Sequence, residues 1–315
     1  MIITISTHKG GSGKTTLATN IASTIAELNK DKSILLIDFD GQCGISISFG
    51  HSPKKFINES ILSIIKGEKQ LQEVIEHNIR NSNDESIDNL SIIYSEPNMR
   101  AFDHIINNDP KIKDNLIKLI KYLNSQFDFI IIDTPPAFSS INYITFLESK
   151  IIVAPFEAER QNIEGILNVI NEIKKEKYSN KPFIYLLPNK IKDWTSIDKK
   201  LISYIDEIVP KNDSQIVMSS YKIPDSMQYK TISAIEKVPL VLSKTKNKSI
   251  NLQKSLMIEI SNEILSLVDE NLDFSLIKNK SSSEESTILL NLEKVLNKNW
   301  DSWLNKVNEK YKKKE

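Results

Sequence analysis

The chain has 315 residues, 41 basic against 41 acidic side chains, and one cysteine, Cys43. That length allows one large α/β domain or a domain with an appendage, since ordinary domains reach roughly 250 residues. The charge balance confines any attraction to nucleic acid or membrane to local patches, and a single thiol excludes an intramolecular disulfide framework and argues against a Cys-ligated iron–sulfur or structural zinc site.

No apolar stretch reaches the roughly 18 to 20 residues that span a bilayer, and the chain opens on a strand pattern without a charged leader, so a cytoplasmic protein is expected. In chain order, Ile2–Ile5 reads as a buried strand and is followed by Lys9-Gly10-Gly11-Ser12-Gly13-Lys14-Thr15-Thr16 and a helical pattern over Lys14–Asn29. Strand, glycine-rich octet and helix in that order describe a phosphate-binding loop. Its glycines give the backbone freedom to turn N–H groups inward. Lys14 brings a point charge to the β- and γ-phosphates, and the Thr15 hydroxyl is a ligand for Mg²⁺. His8 stands where the general pattern has its first glycine, and Lys9 instead fits the variant K-G-G-x-G-K-[ST].

Further strands are expected at Ile34–Ile37, Leu90–Tyr94, Phe129–Ile132, Ile151–Ala154, Phe183–Leu187 and Ile216–Met218. Helices are expected over Ile112–Gln126, Ile163–Lys177, Ser196–Ile208 and Asn247–Val268, the last with Leu252, Leu256, Ile260, Ile264 and Leu267 on one stripe. His77–Asp88 is polar and reads as a loop. Apolar runs alternating with amphipathic segments predict a doubly wound, mostly parallel sheet flanked by helices, an α/β P-loop NTPase with its ligand at the strand carboxyl ends. This domain is expected to span 1–270, followed by a polar linker over 271–287 and an amphipathic C-terminal helix over 288–315 that carries Trp300 and Trp303.

Two strand ends carry carboxylates: Asp38-Phe39-Asp40-Gly41-Gln42 and Asp133-Thr134-Pro135-Pro136. Alternate residues of an extended segment project to one side, so Asp38 and Asp40 can share one metal and phosphate site. Leu187-Pro188-Asn189-Lys190 either places Asn189 at the base or is a turn, and Asp193 lies too far along for the guanine-reading spacing, which favours ATP.

With K-G-G-S-G-K-T-T, I-D-F-D-G-Q and I-I-I-D-T-P-P in this order, the chain resembles the ParA/MinD family of deviant Walker A ATPases over about residues 1 to 270. The resemblance implies that Lys9 reaches across a dimer interface to the partner's ATP, and that Lys14, Thr15 and Thr16 hold phosphate and Mg²⁺. It implies that Asp38 organises the metal's water shell, Asp40 positions the hydrolytic water and Asp133 is the Walker B carboxylate. Val153–Glu157 with Gly165 would lie by the second switch, and Tyr221–Asp225, with Pro224 and Asp225, by the adenine. The family usually has proline at Gly41 and glycine at Cys43, so a more mobile first switch is expected here.

The function implied is ATP-dependent dimerisation for plasmid or chromosome partition. The ATP homodimer would bind DNA nonspecifically at the nucleoid and answer to a ParB-like centromere-binding protein. Lysines from Lys190 to Lys248, the late ones above all, are the candidate DNA contacts. Two other readings are a MinD-like ATPase lying on a membrane through the terminal helix, and a cytosolic cargo-positioning ATPase without DNA.

Overall fold

The computed structural model describes residues 1–136, 139–158, 182–192 and 215–268, together with Ile170, Ile173 and Ile202. Its strands are β1 (Ile2–Ile5), β2 (Ile34–Asp38), β3 (Leu90–Ile93), β4 (Phe129–Asp133), β5 (Ile151–Phe156), β6 (Phe183–Pro188) and β7 (Ile216–Met218). They form one sheet in the order β3-β2-β4-β1-β5-β6-β7, and every pairing is parallel. Runs such as Ile34-Leu35-Leu36-Ile37 are buried at every position, as a strand covered on both faces requires.

On one face, Leu35, Ile37, Ile130 and Ile132 share a core with Leu116, Ile120, Phe102 and Ile144, which come from helices Pro110–Gln126, Phe102–Asn108 and Ser140–Glu148. On the other, helix α1 (Lys14–Leu28) lies against β2 and β4 and is itself covered by the helix Lys248–Ser266. The chain crosses from β4 over β1 to β5, so strand order reverses beside β1. A crevice opens at such a reversal, outside the strand carboxyl ends. The register places Asp133 against both Ile5 and Asp38, which brings the three chemically distinctive strand ends together.

The expected strands are all present, and five of the seven differ at one end by one or two residues. Asp38 and Asp133 close their ladders from inside the strand instead of following it. Short helices such as Ser140–Glu148 and Gln228–Glu236 had no expected counterpart because each offers too few turns for a helical period to show. His77–Asp88 is a loop, pinned by isolated bridges at Glu76–Ile92 and Arg80–Ser86.

The closing helix departs in part from its expected stripe. Ile250, Met257, Ile260, Ile264 and Leu265 are buried, whereas Leu252 is exposed. Ile260 and Ile264 of the expected stripe are buried, Leu256 and Leu267 are half-buried, and packing against α1 extends the buried face to Ile250, Met257 and Leu265. The helices expected over Ile163–Lys177 and Ser196–Ile208 fall largely outside the described residues, though Ile170, Ile173 and Ile202 are helical and buried. Residues 1–268 form one unit; the linker over 271–287 and the helix over 288–315 lie outside the described residues. No described helix is long and apolar enough to cross a membrane.

The phase of the closing helix is open to a direct check by urea unfolding. Met257→Ala is expected to cost about 2 to 5 kcal/mol, as for other fully buried truncations, and Leu252→Ala no more than about 0.5 kcal/mol.

Candidate functional site

Between β1 and α1 the backbone must reverse within a few residues. Gly11 and Gly13 do this with left-handed φ values of 80° and 90°, which cost glycine nothing. At Gly13 a Cβ would also stand 2.5 Å from Asn189 Nδ2, so conformation and space both reserve the position for glycine. Gly10 has no left-handed φ, so the freedom expected of all three glycines is used at two. No side chain caps α1 and its first turn carries no acidic residue. Its leading N–H groups are therefore available to an anion.

Lys14 is buried to 6% exposure, and its Nζ donates to the Lys9 carbonyl at 3.3 Å. Ser12 Oγ donates to the same carbonyl at 3.2 Å, which closes the loop on itself. Burial lowers the Lys14 pKa, while Asp133 and Asp40 pull it back up. The half-buried Lys9 and the adjoining Gly10 and Gly11 form the outer side of the loop.

Thr15 Oγ1 donates to Asp133 Oδ2 at 2.6 Å. The other oxygen, Asp133 Oδ1, is buried with no hydrogen-bond partner. Asp38 receives the N–H of Asp40 at 2.9 Å and that of Ile45 at 3.2 Å. Burial, reinforced by the neighbouring Asp133 charge, raises the Asp38 pKa well above the usual carboxylate range. Burial likewise pushes Asp133 up to about 7, against the Thr15 hydrogen bond and the Lys14 charge. Both shifts express one imbalance: negative charge is concentrated at the strand ends with little to neutralise it.

A hard divalent cation is the kind of group that corrects such an imbalance. An orphaned carboxylate oxygen beside a hydroxyl is oxygen chemistry suited to Mg²⁺. Among the described residues no group of three or more His, Cys, Asp or Glu side chains is placed to hold a metal alone. Mg²⁺ fits instead because it keeps several waters and takes few protein ligands beside phosphate oxygens. The residues present, Thr15 and Asp133 with Asp38 behind them, suit that mode.

The loop is also braced from the β6 side. Asn189 Nδ2 donates to the Ser12 carbonyl at 2.7 Å, and Lys190 N donates to Asn189 Oδ1 at 3.0 Å. Lys190 Nζ donates to the Gly11 carbonyl and pairs with Glu157 Oε1 at 3.0 Å. Lys190, grouped by sequence with candidate DNA contacts, is thus turned to the phosphate loop. Asp225 N donates to the Ile191 carbonyl at 3.1 Å and Pro224 bridges Ile191. Asn189 therefore touches the phosphate loop, and Pro224 and Asp225 lie on the segment paired with Ile191 two residues further on. Behind them, Glu263 accepts from Tyr185 Oη and from Ser220 N, which fixes the start of the segment bearing Pro224.

Asp40 stands on the loop after β2. Its Oδ1 accepts from Gln42 N at 2.9 Å and its carbonyl from Cys43 N at 2.8 Å. Cys43 holds a left-handed φ of 55° and its thiol is buried, so desolvation pushes its pKa up to about 12. The greater mobility expected from a missing proline at Gly41 is opposed by Arg100, whose Nε donates to the Gly41 carbonyl at 3.1 Å and whose Nη2 donates to Gln42 Oε1 at 2.9 Å. Sequence reasoning passed over Arg100. The one compositional signal is scarcity: the chain contains three arginines, Arg80, Arg100 and Arg160, among 41 basic residues.

The family described as "AAA domain" matches residues 1–185. A ParA family protein of Mycoplasma pneumoniae is 30% identical over 281 residues, covering 85% of this chain and 98% of that protein. An ATP complex of a McdA variant from Cyanothece has a TM-score of 0.67 at 19% identity, covering 85% of this chain and 97% of that one. A putative plasmid partition protein from Borrelia burgdorferi B31 bound to AMPPNP has a TM-score of 0.62 at 24% identity, covering 83% of this chain and 98% of that one. At those identities the two structures speak for the fold, whereas the Mycoplasma relative matches along nearly its whole length. A glycine loop closed around Lys14, carboxylates converging on Thr15 and this likeness along the chain agree: the protein belongs to the ParA family of P-loop ATPases.

Proposed function

We propose that this chain hydrolyses ATP with Mg²⁺ and uses ATP to dimerise in the partition of a plasmid or chromosome, binding DNA nonspecifically as the ATP dimer and answering to a ParB-like partner. The observation that carries the reading is the meeting of Lys14, Thr15, Asp38, Asp40 and Asp133 at the carboxyl ends of the inner strands, with the orphaned Asp133 oxygen beside the Thr15 hydroxyl. The ATP- and AMPPNP-bound structures of McdA and of the Borrelia partition protein support the choice of nucleotide.

In this reading the N–H groups of Gly11 to Thr16 and the Lys14 ammonium hold the β- and γ-phosphates, in a buried setting where fixed donors are worth more than in water. Mg²⁺, when bound, supplies charge neutralisation to the phosphate oxygens. Thr15, Asp133 and Asp38 are the residues that would hold it. Asp40 orients the attacking water. Asn189, Pro224 and Asp225 border the adenine. Lys9 acts in trans, donating its ammonium to the nucleotide of the second copy, so that the γ-phosphate joins two protomers and its loss releases them. DNA phosphates meet the exposed late lysines Lys230, Lys237, Lys244, Lys246 and Lys248.

Three variants and a DNA-retention assay test this. Lys14→Ala removes a charge-assisted contact worth roughly 1.5 to 3 kcal/mol and is expected to weaken ATP binding by at least about tenfold in calorimetric titration. Asp40→Ala is expected to lower kcat by about 10²-fold or more while ATP binding and the dimer persist in light scattering; a wild-type rate removes Asp40 from the mechanism. Lys9→Ala should bind ATP and stay monomeric. For DNA, three phosphate contacts imply an affinity loss of about 40-fold between 50 and 200 mM salt, with retention in ATP and none in ADP. No retention in ATP at either salt favours cargo positioning without DNA.

A further inference from the structure

The segment 96–103 contacts both the loop after β2 and the start of the helix Ser140–Glu148, although none of its residues belongs to a nucleotide motif. Glu96 is buried to 2% exposure. Its carboxylate accepts from Asn58 N at 3.0 Å, Ser60 Oγ at 2.7 Å and Asn98 Nδ2 at 2.8 Å. A short 3₁₀ turn over Pro97–Ala101 follows, and Met99 and Phe102 seat it in the core at 3% and 1% exposure. The turn is thus anchored from below and presents Arg100 and Asp103 outward.

Arg100 meets the loop after β2 in two ways. Its guanidinium spans the Gly41 carbonyl and the Gln42 side chain at 3.1 and 2.9 Å. A Cβ on Gly41 would lie 2.5 Å from Arg100 Cγ and 2.7 Å from the Arg100 backbone nitrogen. The glycine lets the arginine's backbone and stem close over the loop. From Gln42 the connection continues to chemistry, since Gln42 N donates to Asp40 Oδ1 and Asp40 N donates to Asp38 Oδ1, both at 2.9 Å. Three residues past Arg100, Asp103 Oδ1 accepts from Ser140 N at 2.8 Å. Ser140 is the first residue of the helix that follows Asp133-Thr134-Pro135-Pro136.

We infer that Arg100 is a positioning residue for ATP hydrolysis, holding Asp40 through Gly41 and Gln42, and that the segment 97–103 ties this loop to the start of the helix at Ser140. The inference rests on the reading of Asp40 as the carboxylate that orients water. Arg100 acts through the backbone and through Gln42. Its planar two-pronged donor is what the geometry uses, and a lysine ammonium on a similar stem cannot reproduce both bonds. Small errors in the placement of a reacting group carry large rate penalties.

The test compares Arg100→Ala, Arg100→Lys and Gln42→Ala in the full chain, with ATP turnover as one readout and amide hydrogen exchange of residues 40–43 without nucleotide as another. Arg100→Ala is expected to lower kcat by about 10-fold to 100-fold, with KM for ATP within about twofold of wild type and loop amides exchanging about tenfold faster. Arg100→Lys keeps stem and charge and is expected to retain the thermal midpoint without recovering kcat. A packing role would be rescued by lysine. The double variant with Gln42→Ala should be no slower than Arg100→Ala, because Arg100→Ala already removes the bond to the Gln42 side chain. Unchanged kcat and exchange in Arg100→Ala, or full recovery by Arg100→Lys, overturns the inference alone. A wild-type protein that binds no ATP and shows no turnover overturns both it and the function on which it rests.

Discussion

Asp38 and Asp133 stand opposite each other at the ends of adjacent parallel strands, and both are fully buried. Removing charge from water is costly unless that charge is hydrogen-bonded or neutralised, and a like charge next to it adds to the cost. The surrounding structure answers this single constraint. The loop after β2 turns two N–H groups onto Asp38, α1 begins where Thr15 can donate to Asp133, and Lys14 is buried beside them. The compensation is incomplete. One Asp133 oxygen has no partner and the pKa values of both carboxylates are raised, which is the state of a site built around a cation that carries the remaining positive charge.

The phosphate loop itself is supported from both sides of β1. Toward β4 it meets the carboxylates; toward β6 it meets Asn189 and Lys190, which hold the Ser12 and Gly11 carbonyls. A loop with two left-handed glycines would be costly to order if nothing held it. Here the ordering is done by side chains on neighbouring strand ends, so the N–H groups can face inward before any anion arrives. Preorganisation of this kind reduces what binding must supply.

Much of the architecture was legible from the chain. Each expected strand exists because a short run of Ile, Leu, Val or Phe without alternation suits a strand covered on both faces, and the octet from Lys9 to Thr16 forms the loop because glycine placement dictates the turn. The closing helix was legible as a helix, and its expected stripe holds at Ile260 and Ile264 but fails at Leu252. Leu252 and Ile250 lie two residues apart, and intrinsic pattern has no term for which of them α1 will cover. Gly41 was read as a source of looseness because the family it resembles usually has proline there. Its neighbour, an arginine that takes up the space a Cβ would need, was invisible in that reading.

The sequence by itself determined the local geometry: which segments are strands, where the phosphate loop turns and which carboxylates end strands. Those properties depend on residues within one or two turns of each other. Tertiary structure alone decided which distant residues meet. Asn189 reaches Ser12 across 177 positions and Arg100 reaches Gly41 across 59, and both contacts follow from the order in which parallel strands lie side by side. Strand order is set by the packing of the whole sheet and its helices, so no local pattern encodes it.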